Sequence, residues 1–118
     1  MADFRSSRSF EQRSMEASRI KEKYPDRVPI VCFKSLNCKD LPKLDKEKYL
    51  VPKDKTVGEF IHILRSKIEL SSDKAIFLMI EGKFLPTVNS TFNELYKEHV
   101  ADDQFLYMEY HGESTFGN

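Results

Sequence analysis

Apolar positions along this chain fall into two periods, and the changes between them mark the elements. Ser9-Phe10-Glu11-Gln12 has the form of a capping box, in which a serine hydroxyl accepts from the amide three residues on and Gln12 reaches back. Phe10, Ser14, Ala17, Ile20 and Tyr24 then recur at helical spacing, so one narrow stripe is predicted to face a core. Pro25 ends this helix at or before Tyr24. The polar Ser6-Ser7-Arg8 ahead of it permits a short extra helical turn.

From Val28 to Phe33 the pattern becomes a continuous β-branched and apolar run, read as a buried strand with Pro29 near its start. Residues 34–47 are rich in Lys, Asp, Asn and Pro and read as a connecting loop. Lys48-Tyr49-Leu50-Val51 is a short second strand, and Pro52 after it places that strand at a sheet edge. Thr56-Val57-Gly58-Glu59 is another capping box, opening the clearest helix, with Val57, Phe60, Ile61, Leu64 and Ile68 on its apolar stripe. Ile63 lies off that stripe. Ile76–Ile80 is a third strand, Thr91–Val100 a short helix with Phe92, Leu95, Tyr96 and Val100 inward, and Phe105–Tyr110 a fourth strand. Residues 111–118 have no periodicity and two glycines, as expected of a mobile tail. The order gives an α+β or split β-α-β arrangement with helices on one face of the sheet.

Length and charge narrow the function. At 118 residues there is one domain, and no apolar run approaches the ~20 residues that a membrane crossing needs. Met1-Ala2-Asp3-Phe4-Arg5 lacks the apolar core of a signal peptide, so an intracellular protein is expected. Net charge is zero, with seven Lys/Arg against five Asp/Glu in residues 1–27 and twelve against fourteen after them. That offset is too small for the basic stripe of a nucleic-acid binder. Cys32 and Cys38 stand alone as C-x5-C, too few ligands for a zinc site, and are expected to be reduced.

Catalytic motifs are missing. The four glycines, at 58, 82, 112 and 117, form neither a phosphate-binding loop nor a dinucleotide fingerprint, and no G-x-S-x-G or H-E-x-x-H occurs. His62, His99 and His111 are scattered. A Cys32/His99 nucleophile pair is the remaining enzyme hypothesis, a small cysteine hydrolase, and it places the thiolate in an apolar strand where it is disfavoured. No enzyme activity, cofactor or metal is expected.

Five stretches in order carry a resemblance: Tyr24-Pro25-Asp26-Arg27-Val28-Pro29, Lys48-Tyr49-Leu50-Val51-Pro52, Thr56-Val57-Gly58, Phe105-Leu106-Tyr107 and Glu113-Ser114-Thr115-Phe116-Gly117. With them the chain, from about Phe10 to Gly117, resembles the autophagy-related ubiquitin-like modifiers, relatives of GABARAP and the microtubule-associated protein light chains. The resemblance implies a ubiquitin-like β-grasp core at 28–110 with a four-stranded mixed sheet. It adds an N-terminal helical extension at 1–27 and a flexible tail at 111–118. It further implies cleavage by a processing cysteine protease after Gly117, which removes Asn118. Activating and conjugating enzymes would then pass Gly117 to the amine of phosphatidylethanolamine. The protein would be cytoplasmic and monomeric before that step, and peripheral on autophagosomal or vesicle membranes after it.

The same resemblance implies a docking face for receptors that carry an aromatic-x-x-aliphatic motif, added as an extra strand along Lys48-Tyr49-Leu50. Its aromatic pocket would be Glu16, Ile20, Pro29, Lys48, Leu50 and Phe105. Its aliphatic pocket would be Tyr49, Val51, Pro52, Phe60 and Ile63, and Arg27, Lys46 and Lys67 would attract acidic flanks. The bland reading makes Ile20, Leu50 and Phe105 simply core. Lys55 stands where relatives have an apolar residue, which would make the aliphatic pocket smaller or more polar. The competing function is a ubiquitin-like trafficking or cytoskeletal adaptor that is never covalently attached; it shares the pockets and differs at Gly117.

Overall fold

Among the described residues, three of the four helices of five or more residues begin where a side chain can take up the free amides of the first turn. In the computed structural model, which describes residues 2–71 and 73–113, capping boxes form at Ser9/Gln12, Thr56/Glu59 and Thr91/Glu94. They open α2 (Phe10–Lys23), α3 (Val57–Lys67) and α4 (Phe92–His99). The strands are β1 (Arg27–Lys34), β2 (Lys48–Pro52), β3 (Phe77–Ile80) and β4 (Leu106–His111). They form one mixed sheet in the order β2-β1-β4-β3, with β1 and β4 parallel in the centre and both outer pairings antiparallel.

The extra N-terminal turn exists but lies earlier than expected, as α1 (Asp3–Ser7). No local side chain caps it; instead the Glu47 carboxylate accepts the amides of Asp3 and Phe4 at 3.1 and 2.8 Å. An anion at a helix N-terminus satisfies its free donors and its dipole together. Phe4 is buried and meets the Phe105 ring edge-on at 5.0 Å.

Helices cover both faces of the sheet, not one. Val28, Ile30 and Cys32 of β1 join Leu106, Met108 and Tyr110 of β4 against Val57, Phe60 and Leu64 of α3 and Phe92 and Leu95 of α4. The alternate residues Val31, Phe105 and Tyr107 pack on Ala2, Phe4, Ala17 and Ile20 of the N-terminal segment. The physical reason is the continuous apolar run of β1, which must be buried on both sides. The α2 stripe is narrower than its periodicity suggests: Ala17 is fully buried, whereas Phe10 and Tyr24 remain exposed.

Two further differences concern the ends of the sheet. The loop at 34–47 is polar in composition, yet Cys38, Leu41 and Leu44 are buried in the main core. The Tyr110 hydroxyl donates to the Pro42 carbonyl at 2.7 Å and accepts from the Leu44 amide at 3.0 Å, which ties that loop to β4. β4 itself runs on to His111, paired with Phe77, and Gly112 is also buried, so those two residues belong to the folded body and not to a tail. Cys32 and Cys38 are both free thiols and both buried.

Candidate functional site

An edge strand offers its outward amides and carbonyls to whatever can pair with them. The Cys32 amide donates to the Glu47 carbonyl at 2.8 Å, which sets the parity of the β1–β2 ladder. With Ile30 opposite Tyr49 and Val28 opposite Val51, residues 47, 49 and 51 exchange hydrogen bonds with β1. Lys48 and Leu50 therefore turn their backbone groups outward, and among the described residues no strand pairs with them. Pro29 lies opposite Leu50, at a position where its missing N–H removes no bond of this ladder.

Beside this edge, between β2 and α2, is a hollow of ≈ 450 Å3 lined by Glu16, Ile20, Lys46, Lys48, Tyr49, Leu50 and Phe105. Five of the six residues expected of an aromatic pocket thus meet. The sixth, Pro29, is buried within β1 and does not line the hollow. Phe105, 1 % exposed, is core and floor at once, while Ile20 and Leu50 are half-buried at the hollow. The two readings of these residues are therefore compatible, because one side chain can close the interior and line the surface.

The rim is charged and ordered. Lys48 Nζ lies 2.6 Å from Glu16 Oε2, and Arg8 reaches the other Glu16 oxygen at 3.6 Å. This chain of charges ties α2 to β2 across the hollow's mouth. Both pairs are partly solvated, so each contributes at most about 1 kcal/mol. Lys46 and Lys67 both place Nζ over the Tyr49 ring, at 5.1 and 5.9 Å, and line a small cleft of ≈ 170 Å3 with Leu44 and Asp45. Arg27 is at the opposite end of the edge, across from Pro52. The expected acidic-flank residues therefore stand at the two ends of β2. Lys46 was expected only as a flank contact, yet it also lines the hollow, which sequence spacing could not indicate because Lys46 belongs to the loop before β2.

The aliphatic set is arranged differently from the aromatic one. Tyr49, Val51 and Phe60 are buried in the core on the α3 side of the sheet, and the rings of Tyr49 and Phe60 meet edge-on at 5.7 Å. Burial, with Cys32 and Asp45 nearby, pushes the Tyr49 phenol up to about 12, so it stays neutral and donates to the Lys46 carbonyl at 3.1 Å. Pro52 and Ile63 are half-buried. Ile63 lines a separate hollow of ≈ 520 Å3 with Lys55, Gly58, His62 and Val88 among its neighbours. Lys55 thus stands beside Ile63, at the place where the sequence suggested it would narrow an apolar site.

The cysteine-hydrolase reading finds no support in the site. Cys32 is wholly buried, and that burial, then the Glu47 carboxylate, pushes its thiol far up, against the thiolate a nucleophile requires. His99 is occupied elsewhere, its ring 4.4 Å from that of Phe84. Gly117 and Asn118, the expected processing site, lie outside the described residues.

Comparison with known proteins identifies the family. Residues 12–117 match the family described as "Autophagy protein Atg8 ubiquitin like". The chain is 47% identical over 116 residues to Autophagy-related protein 8 of Schizosaccharomyces pombe, covering 98% of this chain and 94% of that protein. It is 45% identical over 117 residues to Autophagy-related protein 8a of Arabidopsis thaliana, covering 99% and 94%. The crystal structure of Trypanosoma brucei ATG8 superposes with a TM-score of 0.89 at 35% identity, covering 96% of each chain. No described helix is long and apolar enough to cross a membrane. The four-stranded mixed sheet with its N-terminal helices and this likeness over nearly the whole length have one meaning: the chain belongs to the Atg8 family of ubiquitin-like autophagy proteins, a modifier and not an enzyme.

Proposed function

We propose that this protein is processed after Gly117, joined through that residue to phosphatidylethanolamine, and read by receptors whose short aromatic-x-x-aliphatic motifs add as a strand to β2. Removal of Asn118 frees the Gly117 carboxylate. An activating enzyme converts it to an acyl adenylate, a conjugating enzyme holds it as a thioester, and the lipid amine attacks the acyl carbon and expels the thiol. Glycine suits this sequence because it has no side chain to hinder a narrow enzyme channel or the attacked carbon. The lipid brings two acyl chains, and at about 0.8 kcal/mol per buried methylene these anchor stably where one chain is marginal. The protein is then peripheral on autophagosomal or vesicle membranes.

The observation that most supports the docking half of this reading is the unpaired outer edge of β2 beside the hollow of Ile20, Leu50 and Phe105. A motif residue entering the hollow buries an aromatic ring, and the aliphatic residue three positions on packs near Pro52 or Ile63. Together these contribute roughly 5–8 kcal/mol before peptide ordering takes back several. These two side chains alone fall short of the ~8.2 kcal/mol of micromolar affinity, so backbone bonds to Lys48 and Leu50 and the charged flanks supply the remainder. The Leu50→Ala protein, titrated with such a peptide, is expected to bind at least about tenfold more weakly, or ~1.4 kcal/mol. Unchanged affinity would remove Leu50 from the site.

The conjugation half is tested by intact mass of the protein isolated from its own cells. The expected species lacks the mass of Asn118 and, in the membrane fraction, carries that of phosphatidylethanolamine. A single unprocessed mass in every fraction would leave a non-covalent adaptor.

A further inference from the structure

A half-buried lysine beside apolar side chains is costly unless an anion meets it, and Lys55 is in that position. It shares a hollow of ≈ 520 Å3 with Gly58, His62, Ile63 and the exposed Val88. The frame of this hollow is backbone, so it does not move with side-chain rotamers. The Gly58 amide donates to the Val88 carbonyl at 2.9 Å and the Val57 amide to the Ser90 carbonyl at 3.0 Å, which joins the start of α3 to the segment between β3 and α4. Lys55 is tied at both of its peptide groups. Its amide donates to the Pro52 carbonyl at 3.1 Å, and its carbonyl accepts from the Phe92 amide at 2.9 Å.

Acids stand nearby, but the chain does not supply the partner. Among the described residues Lys55 takes part in no ion pair. Glu59, four positions on, is committed to the helix start: its carboxylate accepts the Thr56 amide at 3.0 Å and the Thr56 hydroxyl at 3.1 Å. Those two bonds first, and the charge of Lys55 less, hold the Glu59 carboxyl below the usual carboxylate range, so it stays in the cap as an anion. Lys53 and Asp54 are both exposed and offset each other in charge.

The docking path brings an anion within reach. A motif with its aromatic residue in the hollow at Leu50, and its aliphatic residue near Pro52 or Ile63, carries its next residues past Lys55. We propose that Lys55 is a specificity-determining residue of the docking face, favouring motifs with a carboxylate in the two residues after the aliphatic one and disfavouring cations there. This rests on the reading of β2 as the edge to which motifs add. The protein has no net charge, so such a preference comes from local charge and not from general attraction. Arg27, across from Pro52, belongs to β1 and does not line this hollow.

The test is peptide titration of the full-length protein at low ionic strength. Three peptides share one aromatic-x-x-aliphatic core, and the two residues after the aliphatic one are both glutamate, both glutamine or both lysine. Wild-type protein is expected to bind the glutamate peptide about fivefold more tightly than the glutamine peptide, the scale of a favourable solvated ion pair. The lysine peptide should bind more weakly than either, and the whole preference should shrink as added salt screens it. Lys55→Met keeps the length and apolar stem of the side chain, so an unchanged affinity for the glutamine peptide shows that the face is intact. The preference for glutamate in that variant should fall below about twofold. Lys55→Glu should reverse the order and bind the lysine peptide best. With the two glutamates moved ahead of the aromatic residue, Lys55→Met should bind as wild type does. Equal wild-type affinity for the three peptides, or a full glutamate preference in Lys55→Met, overturns this proposal alone. Failure of every peptide to bind wild-type protein overturns the docking reading, and this proposal with it.

Discussion

Gly117→Ala protein is expected to lose conjugation to phosphatidylethanolamine by about a hundredfold or more, equivalent to ~2.7 kcal/mol at the transition state. On the proposed route the added methyl would stand beside the carbonyl that three enzymes reach in turn, so each step would meet the same obstruction. Cleavage before Asn118 should slow as well, leaving a full-length soluble species on intact mass. Receptor-peptide affinity should be unaffected, because the hollow and the outer edge of β2 are formed by residues 16–50 and Phe105. That contrast makes the result decisive between the two functions. A non-covalent adaptor would keep its membrane recruitment with Ala at 117, and normal recruitment of this variant would end the modifier reading.

The second large effect concerns stability. Asp103 is 2 % exposed and collects three donors: Arg13 Nε at 2.8 Å and the Tyr107 hydroxyl at 2.6 Å on Oδ2, and the Phe105 amide at 3.0 Å on Oδ1. Burial, and then the Asp103 carboxylate itself, push the Tyr107 phenol up, so it remains a neutral donor at physiological pH. Arg13 also donates to the carbonyls of Arg5 and Arg8 at 2.9 and 2.7 Å, which extends the clasp to α1. Asp103→Ala would leave a guanidinium, a phenol and an amide buried without their acceptor. Loss of one member of such a buried set costs about 3–5 kcal/mol. Urea unfolding should report a fall in that range, with Asp103→Asn losing less because one acceptor oxygen survives. A loss below ~1 kcal/mol would mean that water replaces the carboxylate freely. Because the clasp holds α2 on the sheet, Asp103→Ala should also weaken peptide binding by loosening the wall that Glu16 and Ile20 give the hollow.

Both effects bear on how much could be read from the amino-acid order. The three capping boxes were legible because each is a contact over three residues, and all three form. The α3 stripe was legible for the same reason: Val57, Phe60 and Leu64 sit one turn apart and are each about 1 % exposed. The edge position of β2 followed from Pro52, and the free ladder of Lys48 and Leu50 agrees with it. Five residues of the aromatic hollow were named in advance, but through a family resemblance, since nothing in local spacing connects Glu16 with Phe105.

The misses have a common cause in long-range partners. Phe10 and Tyr24 fit a helical stripe and yet face solvent, because the sheet meets α2 only around Ala17 and Ile20. α1 has no cap of its own and is held by Glu47, 43 residues away from Phe4. His111 and Gly112 looked like tail for want of periodicity, whereas pairing with Phe77 and the close approach of Asp40 bury them. The loop at 34–47 looked solvated from its Lys and Asp content, although Cys38, Leu41 and Leu44, spaced three apart, anchor it in the core.

Element type, element order, helix starts and the edge strand were thus inherent in the chain, because periodicity and capping depend on neighbours within a turn or a strand's length. Covering of both sheet faces, the Arg13–Asp103–Tyr107 clasp and the wall that α2 gives the hollow arose only on folding. Each joins residues tens of positions apart, and such pairs acquire an energy only when packing removes water from between them.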